Sequence, residues 1–337
     1  MKISYNFMNK YKYIALFFLI IFVFVACKKD DSKLYGISIE TNKMINSPAE
    51  VFSLQQIKIF MASNDFTLKG LPFLINDNSK QNTNFAFSPL FLTYTIAQDS
   101  SFDDYLNQYE KQYNISLSNK NKRIQVFNSF LSSVKDIDSS INIESKIIEN
   151  KENIIKIQQS LDLNLNYDNI NIEEDNYSSK QQIIISDEFS VLESSEQTIV
   201  DILVGNGNYI LTLIQPKNAS LQQYIKTFNE EKYASLINQM ENRKTSVVFP
   251  LIEIDMQKRT MNDINLANND SLFSFPKEVV LDCHFAINHQ QQANTSFEQT
   301  LLKSNTSKPI SFNKDFLFIL RGKSSNLIMF IGYYSVN

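Results

Sequence analysis

The C-terminal stretch SFNKDFLFILRGKSSNLIMFIGYYSVN, residues 311–337, constrains the fold more than any other part of the sequence. It holds two apolar runs, FLFIL and LIMFIG, which are separated by the polar turn RGKSSN. A chain terminus is normally frayed and solvated, so strands this apolar must be covered on both faces. The sequence therefore predicts a β-hairpin that completes a hydrophobic core at the end of the chain.

Length and composition favour one folded unit in water. The 337 residues are 43% hydrophobic and 20% charged, which is enough to fill a large core. The net charge is −4, and the Lys and Arg residues neither cluster along one helix nor interleave with aromatic residues. This charge distribution predicts that the protein has no nucleic-acid partner. We also expect a monomer with a single domain at residues 48–337.

The N-terminus has the features of a bacterial lipoprotein signal. The apolar run IALFFLIIFVFVA, Ile14 to Ala26, follows a basic region and is short for a stable membrane span. Ala26 directly before Cys27 resembles the bacterial lipobox, in which the cysteine thiol is acylated and becomes the new N-terminus. This predicts a signal peptide at residues 1–26, lipidation at Cys27 and a polar tether at 27–47. The alternative is a plain membrane anchor with an incidental cysteine.

The residues after Cys27 indicate where such a lipoprotein would reside. Asp30 and Asp31 resemble the charged signals that send some lipoproteins to the outer face of an outer membrane. We therefore expect a lipid-anchored protein of the cell envelope, in the outer membrane and exposed at the surface. The folded part would contact the membrane only through its lipid anchor.

No motif of an ordinary enzyme is visible. Cys283 and His284 are neighbours in an apolar, strand-like context, so their side chains point to opposite faces and cannot form a nucleophile–base pair. His284 and His289 are the chain's two histidines, and their spacing suits no metal site. There is no phosphate-binding glycine loop and no G-x-S-x-G elbow. We expect neither enzymatic activity nor a metal or other cofactor.

Local patterns predict individual elements. Ser88 before Pro89 is a favourable helix start, because the hydroxyl can accept from free N–H groups while proline occupies the first turn. The stretch NIIKIQQSLDLNLNY, residues 153–167, is interpreted as a short helix, and residues 168–179 as a surface loop. QTIVDILVGNGNYILTLIQP, residues 197–216, predicts a hairpin with its turn at Gly205 and Gly207.

The order of the motifs resembles the serpin family over nearly all of the chain that follows the tether. NDFTLKGLPFLI is similar to the first serpin helix, and NFAFSPLFL to the segment that opens the second. The closing FNKDFLFIL resembles the family's terminal F-N-[KR]-P-F-L-F motif, although Asp315 replaces the proline. The resemblance implies an α+β fold, with helices packed on a large central mixed β-sheet, a smaller C-terminal hairpin core and reduced helix and strand content. Another α+β fold with similar apolar hairpins is the alternative.

The resemblance also implies a mechanism. An inhibitory serpin presents an exposed reactive loop to a serine protease, is cleaved once, and inserts the loop into its central sheet together with the acylated protease. Aligning DCHFAI on the strand before that loop places His284 on the shutter histidine and Thr295 on the hinge threonine. The resemblance also puts Ser88 in this shutter, which lies beneath the sheet. The alternative is that His284 is an ordinary core residue without a role in the shutter. The reactive loop would occupy about residues 293–311, with its hinge at Thr295, Ser296, Phe297 and Glu298.

The cleavage position depends on the end of the loop from which it is counted. The C-terminal side gives a position near Ser304, and the N-terminal side gives Lys308. Lys303 or Lys308 would then provide the specificity residue for a trypsin-like enzyme. The partner implied by the resemblance is a serine protease of unknown identity.

The hinge departs from the inhibitory pattern. Inhibitory members carry small residues where this chain has Phe297, Glu298 and Gln299. Insertion would bring Phe297 or Glu298 into the sheet, and burial of an unpaired carboxylate costs several kcal/mol. We therefore expect that cleavage of the loop leaves the melting temperature nearly unchanged. Two functions therefore remain open: a surface-presented inhibitor of a serine protease, or a non-inhibitory binding or structural lipoprotein whose loop does not insert.

Overall fold

Two β-sheets with helices packed against them form the protein, seen here in a computed structural model. The structure describes residues 54–76, 84–115, 120–137, 141–165, 167, 170–174, 181–205, 207–260, 275–289 and 308–336. The helices are α1 (Leu54–Asn76), α2 (Pro89–Ile96), α3 (Asp103–Gln112), α4 (Lys120–Ile137), α5 (Leu221–Lys226) and α6 (Glu230–Asn238), with a 3-10 helix at Ser100–Phe102. In these ranges, no helix is long and apolar enough to cross a membrane.

The helix predicted after Ser88 is confirmed. Ser88 is the N-cap of α2, its Oγ accepts a hydrogen bond from the Phe91 N–H at 3.2 Å, and Pro89 occupies the first turn. Every residue of α2 is buried. Because the cap satisfies one of the free N–H groups, this helix can begin inside the core instead of at the surface.

The strands follow the chain in the order β1 (Phe85–Phe87), β2 (Ile141–Asn150), β3 (Ile154–Leu165), β4 (Ile170–Glu174), β5 (Gln181–Glu193), β6 (Gln197–Val204), β7 (Tyr209–Pro216), β8 (Glu241–Pro250), β9 (Glu253–Thr260), β10 (Glu278–His289), β11 (Ile310–Ser311), β12 (Phe316–Gly322) and β13 (Ile328–Tyr334). They form a nine-stranded sheet with the path β1-β13-β12-β7-β6-β5-β8-β11, in which β4 also pairs with β5, and a four-stranded sheet with the path β2-β3-β10-β9.

The C-terminal hairpin lies inside the nine-stranded sheet. Strands β12 and β13 pair antiparallel, and they are flanked by β7 on one side and β1 on the other. Every residue of both strands is buried. The prediction that the end of the chain completes a core is therefore confirmed. The hairpin predicted at residues 197–216 is also present as β6 and β7, with φ of 62° at Gly205 and 82° at Gly207.

The interpretation of residues 153–167 as a helix is wrong. Residues 154–165 form β3, in which alternate residues from Ile155 to Leu165 are buried. This period of two is the pattern of a strand with one covered face, and it outweighs the helix-forming Gln, Leu and Lys residues in the same stretch. The prediction that residues 168–179 form only a surface loop is also wrong in part, since β4 lies within this segment and pairs antiparallel with β5.

Candidate functional site

The candidate site is the junction between β3 and β10 in the four-stranded sheet, which we call the seam. The two strands run parallel and are in register over twelve residues, from Ile154 opposite Glu278 to Leu165 opposite His289. In the sequence, strand β10 is followed by residues 290–307 and then by β11, which pairs parallel with β8 of the nine-stranded sheet. The seam is thus a pair of parallel strands, and one of them, β10, directly precedes the predicted reactive loop in the sequence.

The inner face of the four-stranded sheet carries a row of residues opposite one another at the level of Ser88. Ser145 of β2 lies opposite Gln159 of β3, Gln159 opposite Cys283 of β10, and Cys283 opposite Met256 of β9. Gln159 is fully buried. Its side-chain amide donates to the Ser88 carbonyl oxygen at 2.9 Å and accepts from the Ser88 N–H at 2.8 Å. Strand β3 is therefore fixed to the start of α2 by two hydrogen bonds.

Strand β2 is fixed to the same helix. The Ser145 hydroxyl is 2.6 Å from the Thr95 hydroxyl and donates to the carbonyl oxygen of Phe91 at 3.4 Å. These contacts and the Gln159 pair give the β2–β3 side of the seam a polar attachment to α2. On the β10 side, the row continues with the buried Cys283 thiol, whose pKa is raised by burial. A thiol that resists ionisation is a poor nucleophile, so Cys283 acts as a core residue.

His284 does not lie beside Ser88. It follows Cys283 on β10 and therefore points to the outer face, where its side chain is 34% exposed. Its Nδ1 is 2.7 Å from Oδ1 of Asp255 on β9. The hydrogen bond to Asp255 raises the pKa of His284, while partial burial opposes the shift. The pairing of Ser88 with His284 as one shutter is corrected accordingly: successive residues of a strand face opposite sides, and Cys283 occupies the inner position.

Most of the other predicted site residues lie outside the described residues. They are Cys27, Thr295, Ser296, Phe297, Glu298, Lys303 and Ser304. Lys308 is described and exposed, and it stands directly before Pro309 and two residues before β11. The described part of the chain contains no group of His, Cys, Asp and Glu residues that could hold a metal ion.

The sequence analysis missed Gln159, Thr95 and Ser145. A signal for Gln159 was present, because it is the polar residue at an inward position between Ile157 and Leu161. A buried polar side chain requires a hydrogen-bond partner, and here the partner is the backbone of Ser88. Only the correct assignment of β3 as a strand would have shown this.

The outer face of the seam is partly open to solvent. Gln158 of β3 and Asn288 of β10 are exposed, and the side chains of Asp162 and His284 are 38% and 34% exposed. Val280 and Ala286 of β10 are buried on this face. The sheet thus has one buried, largely apolar face and one mixed face, whereas the expected cost of inserting Glu298 applies to a sheet that is covered on both faces.

Replacement of Gln159 by leucine is expected to lower the free energy of unfolding by about 2–4 kcal/mol, because the buried N–H and C=O of Ser88 each lose a partner. Urea denaturation measures the change. The matched control is Gln158→Leu on the exposed face of the same strand, which is expected to change stability by less than about 0.5 kcal/mol. Equal effects of the two substitutions would show that the Gln159–Ser88 pair does not stabilise the attachment of β3 to α2.

Comparison with known proteins identifies the fold. No protein-family model matches the chain, and no curated protein matches it. Among solved structures, maspin has a TM-score of 0.60 at 11% identity over 84% of this chain and 100% of maspin. SRPN18 from Anopheles gambiae has a TM-score of 0.60 at 10% identity over 83% and 99%. Native protease nexin-1, solved with heparin, has a TM-score of 0.57 at 10% identity over 82% and 99%. The chain therefore has a serpin-like α+β fold.

Proposed function

We propose that this protein is a serpin-type inhibitor of a serine protease, held on a bacterial membrane surface by lipid on Cys27. The observation that carries the proposal is the seam, in which β10 is parallel to β3 and continues into residues 290–307. A chain that reverses after β10 runs antiparallel to both strands. Such a strand can pair with β3 and β10 at once, so that two antiparallel ladders replace one parallel ladder.

The loop has enough residues for this step. The seam is twelve residues long, and cleavage after Lys303 leaves residues 290–303 attached to β10, which provide a strand of that length together with a tight turn. Side chains alternate along an inserted strand, so Phe297 and Glu298 would face opposite sides. With Phe297 on the apolar face toward the helices, Glu298 would lie on the partly exposed face, where a carboxylate remains hydrated. The structure thus supports insertion more than the hinge sequence alone does.

A non-inhibitory role is the second candidate, and two observations favour it. The seam is closed along its full length, and β2 and β3 are fastened to α2 through Ser145 and Gln159. Insertion must open all of these pairs, and it must also accommodate the large Phe297 ring where small residues would pack more easily. In that case the protein would be a lipid-anchored binding or structural module with a loop that proteases cut without being trapped.

Trapping of a protease distinguishes the two functions. Incubation with a trypsin-like protease is expected to give a complex that survives SDS, since the protease serine remains acylated by the carbonyl of the cleaved residue. Lys303 is the better candidate for that residue, because Lys308 precedes Pro309, whose ring and tertiary nitrogen hinder cleavage, and lies close to the paired strand β11. Lys303→Ala is expected to abolish the complex and Lys308→Ala to preserve it. Cleavage without any stable complex would support the non-inhibitory role.

The lipid anchor is tested separately. In a bacterial host, wild-type protein is expected to incorporate labelled palmitate, and Cys27→Ser is expected to lose the label and to accumulate as an uncleaved precursor. The reason is that acylation of the thiol precedes removal of residues 1–26, and two acyl chains hold a protein stably at a membrane. Cys283→Ser is the matched control, since a buried thiol should take no lipid. Unchanged labelling of Cys27→Ser would contradict the lipoprotein assignment.

A further inference from the structure

The outer face of the seam carries a side-chain bridge that spans three strands. His284 of β10 lies between Asp255 of β9 and Asp162 of β3. The Nδ1 atom is 2.7 Å from Oδ1 of Asp255, and the Nε2 atom is 3.5 Å from Oδ1 of Asp162. Asp162 also accepts from the amide of Asn288 at 3.4 Å, which is a second contact between β3 and β10. The bridge to Asp162 crosses the seam itself.

The donor capacity of imidazole determines when this bridge can form. A neutral histidine has one N–H, whereas ionised carboxylates only accept hydrogen bonds. Both ring nitrogens of His284 face carboxylate oxygens, so both contacts can be hydrogen bonds only when the ring is protonated. We propose that His284 is a proton-controlled clasp, which ties β3 to β10 and β9 when protonated and releases one carboxylate when neutral.

The surrounding charges favour the protonated form. Besides Asp162 and Asp255, the carboxylates of this face include Asp282, two residues before His284, and Glu253, which lies opposite Ala286. Glu144 is in the same row on β2. Among the cations of this face, Lys156 is paired with Glu149 and the exposed Lys146 with Glu144. Asp282 accepts a hydrogen bond from the backbone N–H of Lys258. The carboxylates are therefore only partly neutralised around the ring.

The direction of the pH effect follows from the raised pKa of His284. A group with a raised pKa in the folded state contributes stability that is fully present below its ordinary pKa of about 6.5 and is lost as the pH rises through the folded value. Asp255 on β9 is the main cause of the raised pKa, and Asp162 on β3 adds to it. Only the Asp162 part acts across the seam, and through it the seam is closed most tightly at mildly acidic pH and loosens at alkaline pH. This inference concerns the intact, uncleaved protein and does not depend on protease inhibition.

Two measurements on the full-length protein test the clasp. The first is NMR titration of the histidine C–H signals, which are few because the chain has two histidines, with His289→Gln to assign them. The second is amide hydrogen exchange in β3 and β10 at pH 5.5 and 8.5, corrected for the intrinsic exchange rates. We expect His284 to titrate above its ordinary pKa, and the corrected exchange at the seam to be about fivefold faster at pH 8.5.

Substitutions separate the clasp from a plain structural role. His284→Gln is expected to remove the pH dependence of exchange at the seam, while His289→Gln retains it. Asp162→Asn is expected to remove that dependence as well, yet to leave the His284 pKa raised through Asp255. Any one of three results would overturn the proposal. His284 could titrate with its ordinary pKa, the exchange at the seam could be independent of pH, or the pH dependence could persist in His284→Gln.

Discussion

Gly332→Ala is expected to lower the free energy of unfolding by more than about 3 kcal/mol, at the upper end of what overpacking costs in a core. Gly332 lies in β13, opposite Ala86 of β1 and Phe318 of β12. A Cβ atom at this position would stand 2.1 Å from the backbone oxygen of Phe85 and 2.4 Å from Cζ of Phe318. The Phe85 oxygen belongs to the backbone and cannot move away without separating β1 from β13. The Phe318 ring is fully buried against Phe285, so it cannot turn aside without disturbing the core.

Gly322→Ala is the matched control for this prediction. Gly322 ends β12 in the same hairpin, and an added Cβ would lie 2.3 Å from the hydroxyl of Ser325. That hydroxyl is the end of a short side chain that can rotate, so the expected cost is below about 1 kcal/mol. Urea denaturation of both variants measures the difference. A Gly332→Ala protein as stable as Gly322→Ala would mean that β1, β12 and β13 do not pack as described.

The elements that could be predicted from the sequence are those with a local physical cause. The cap at Ser88 depends on a hydroxyl followed by proline, and the turn of the β6–β7 hairpin depends on glycines that adopt positive φ. The C-terminal hairpin follows from two apolar runs around a polar turn. In each case, the residues that determine the structure are neighbours in the chain.

The features that could not be predicted depend on contacts between distant residues. Strand β3 has helix-compatible residues, and only its pairing with β2 and β10 makes it a strand. Gln159 becomes part of the site because it meets Ser88, which lies 71 positions earlier in the chain. His284 faces outward because Cys283 takes the inner position, and a sequence alignment that is one residue uncertain cannot distinguish the two.

The expected effect of cleaving the loop also depends on how the two faces of the sheet are covered. Phe297, Glu298 and Gln299 argue against insertion only if both faces of the sheet are buried. The exposed outer positions of β3 and β10 show that burial is confined largely to one face. Alternation of side chains then lets a ring and a carboxylate enter the same strand at moderate cost. The hinge sequence alone does not contain this information.

Cleavage of the loop is accordingly expected to stabilise the protein strongly. A new strand along the twelve-residue seam forms about twelve additional backbone hydrogen bonds, each worth roughly 0.5–1.5 kcal/mol net. The melting temperature of a domain of about 290 residues shifts by roughly 1.6 °C for each kcal/mol, so it should rise by about 10 °C or more. Phe297→Pro is the control, because proline has no N–H for the ladder and is excluded from the middle of a sheet.

The melting temperature of the protein cut at Lys303 shows whether the loop inserts, and calorimetry measures it beside the intact protein and the cut Phe297→Pro variant. We expect a rise of about 10 °C or more for the cut wild-type chain and little change for the cut Phe297→Pro chain. An unchanged or lower melting temperature of the cut wild-type chain would contradict insertion into the β3–β10 seam, and with it the proposal that this protein traps proteases.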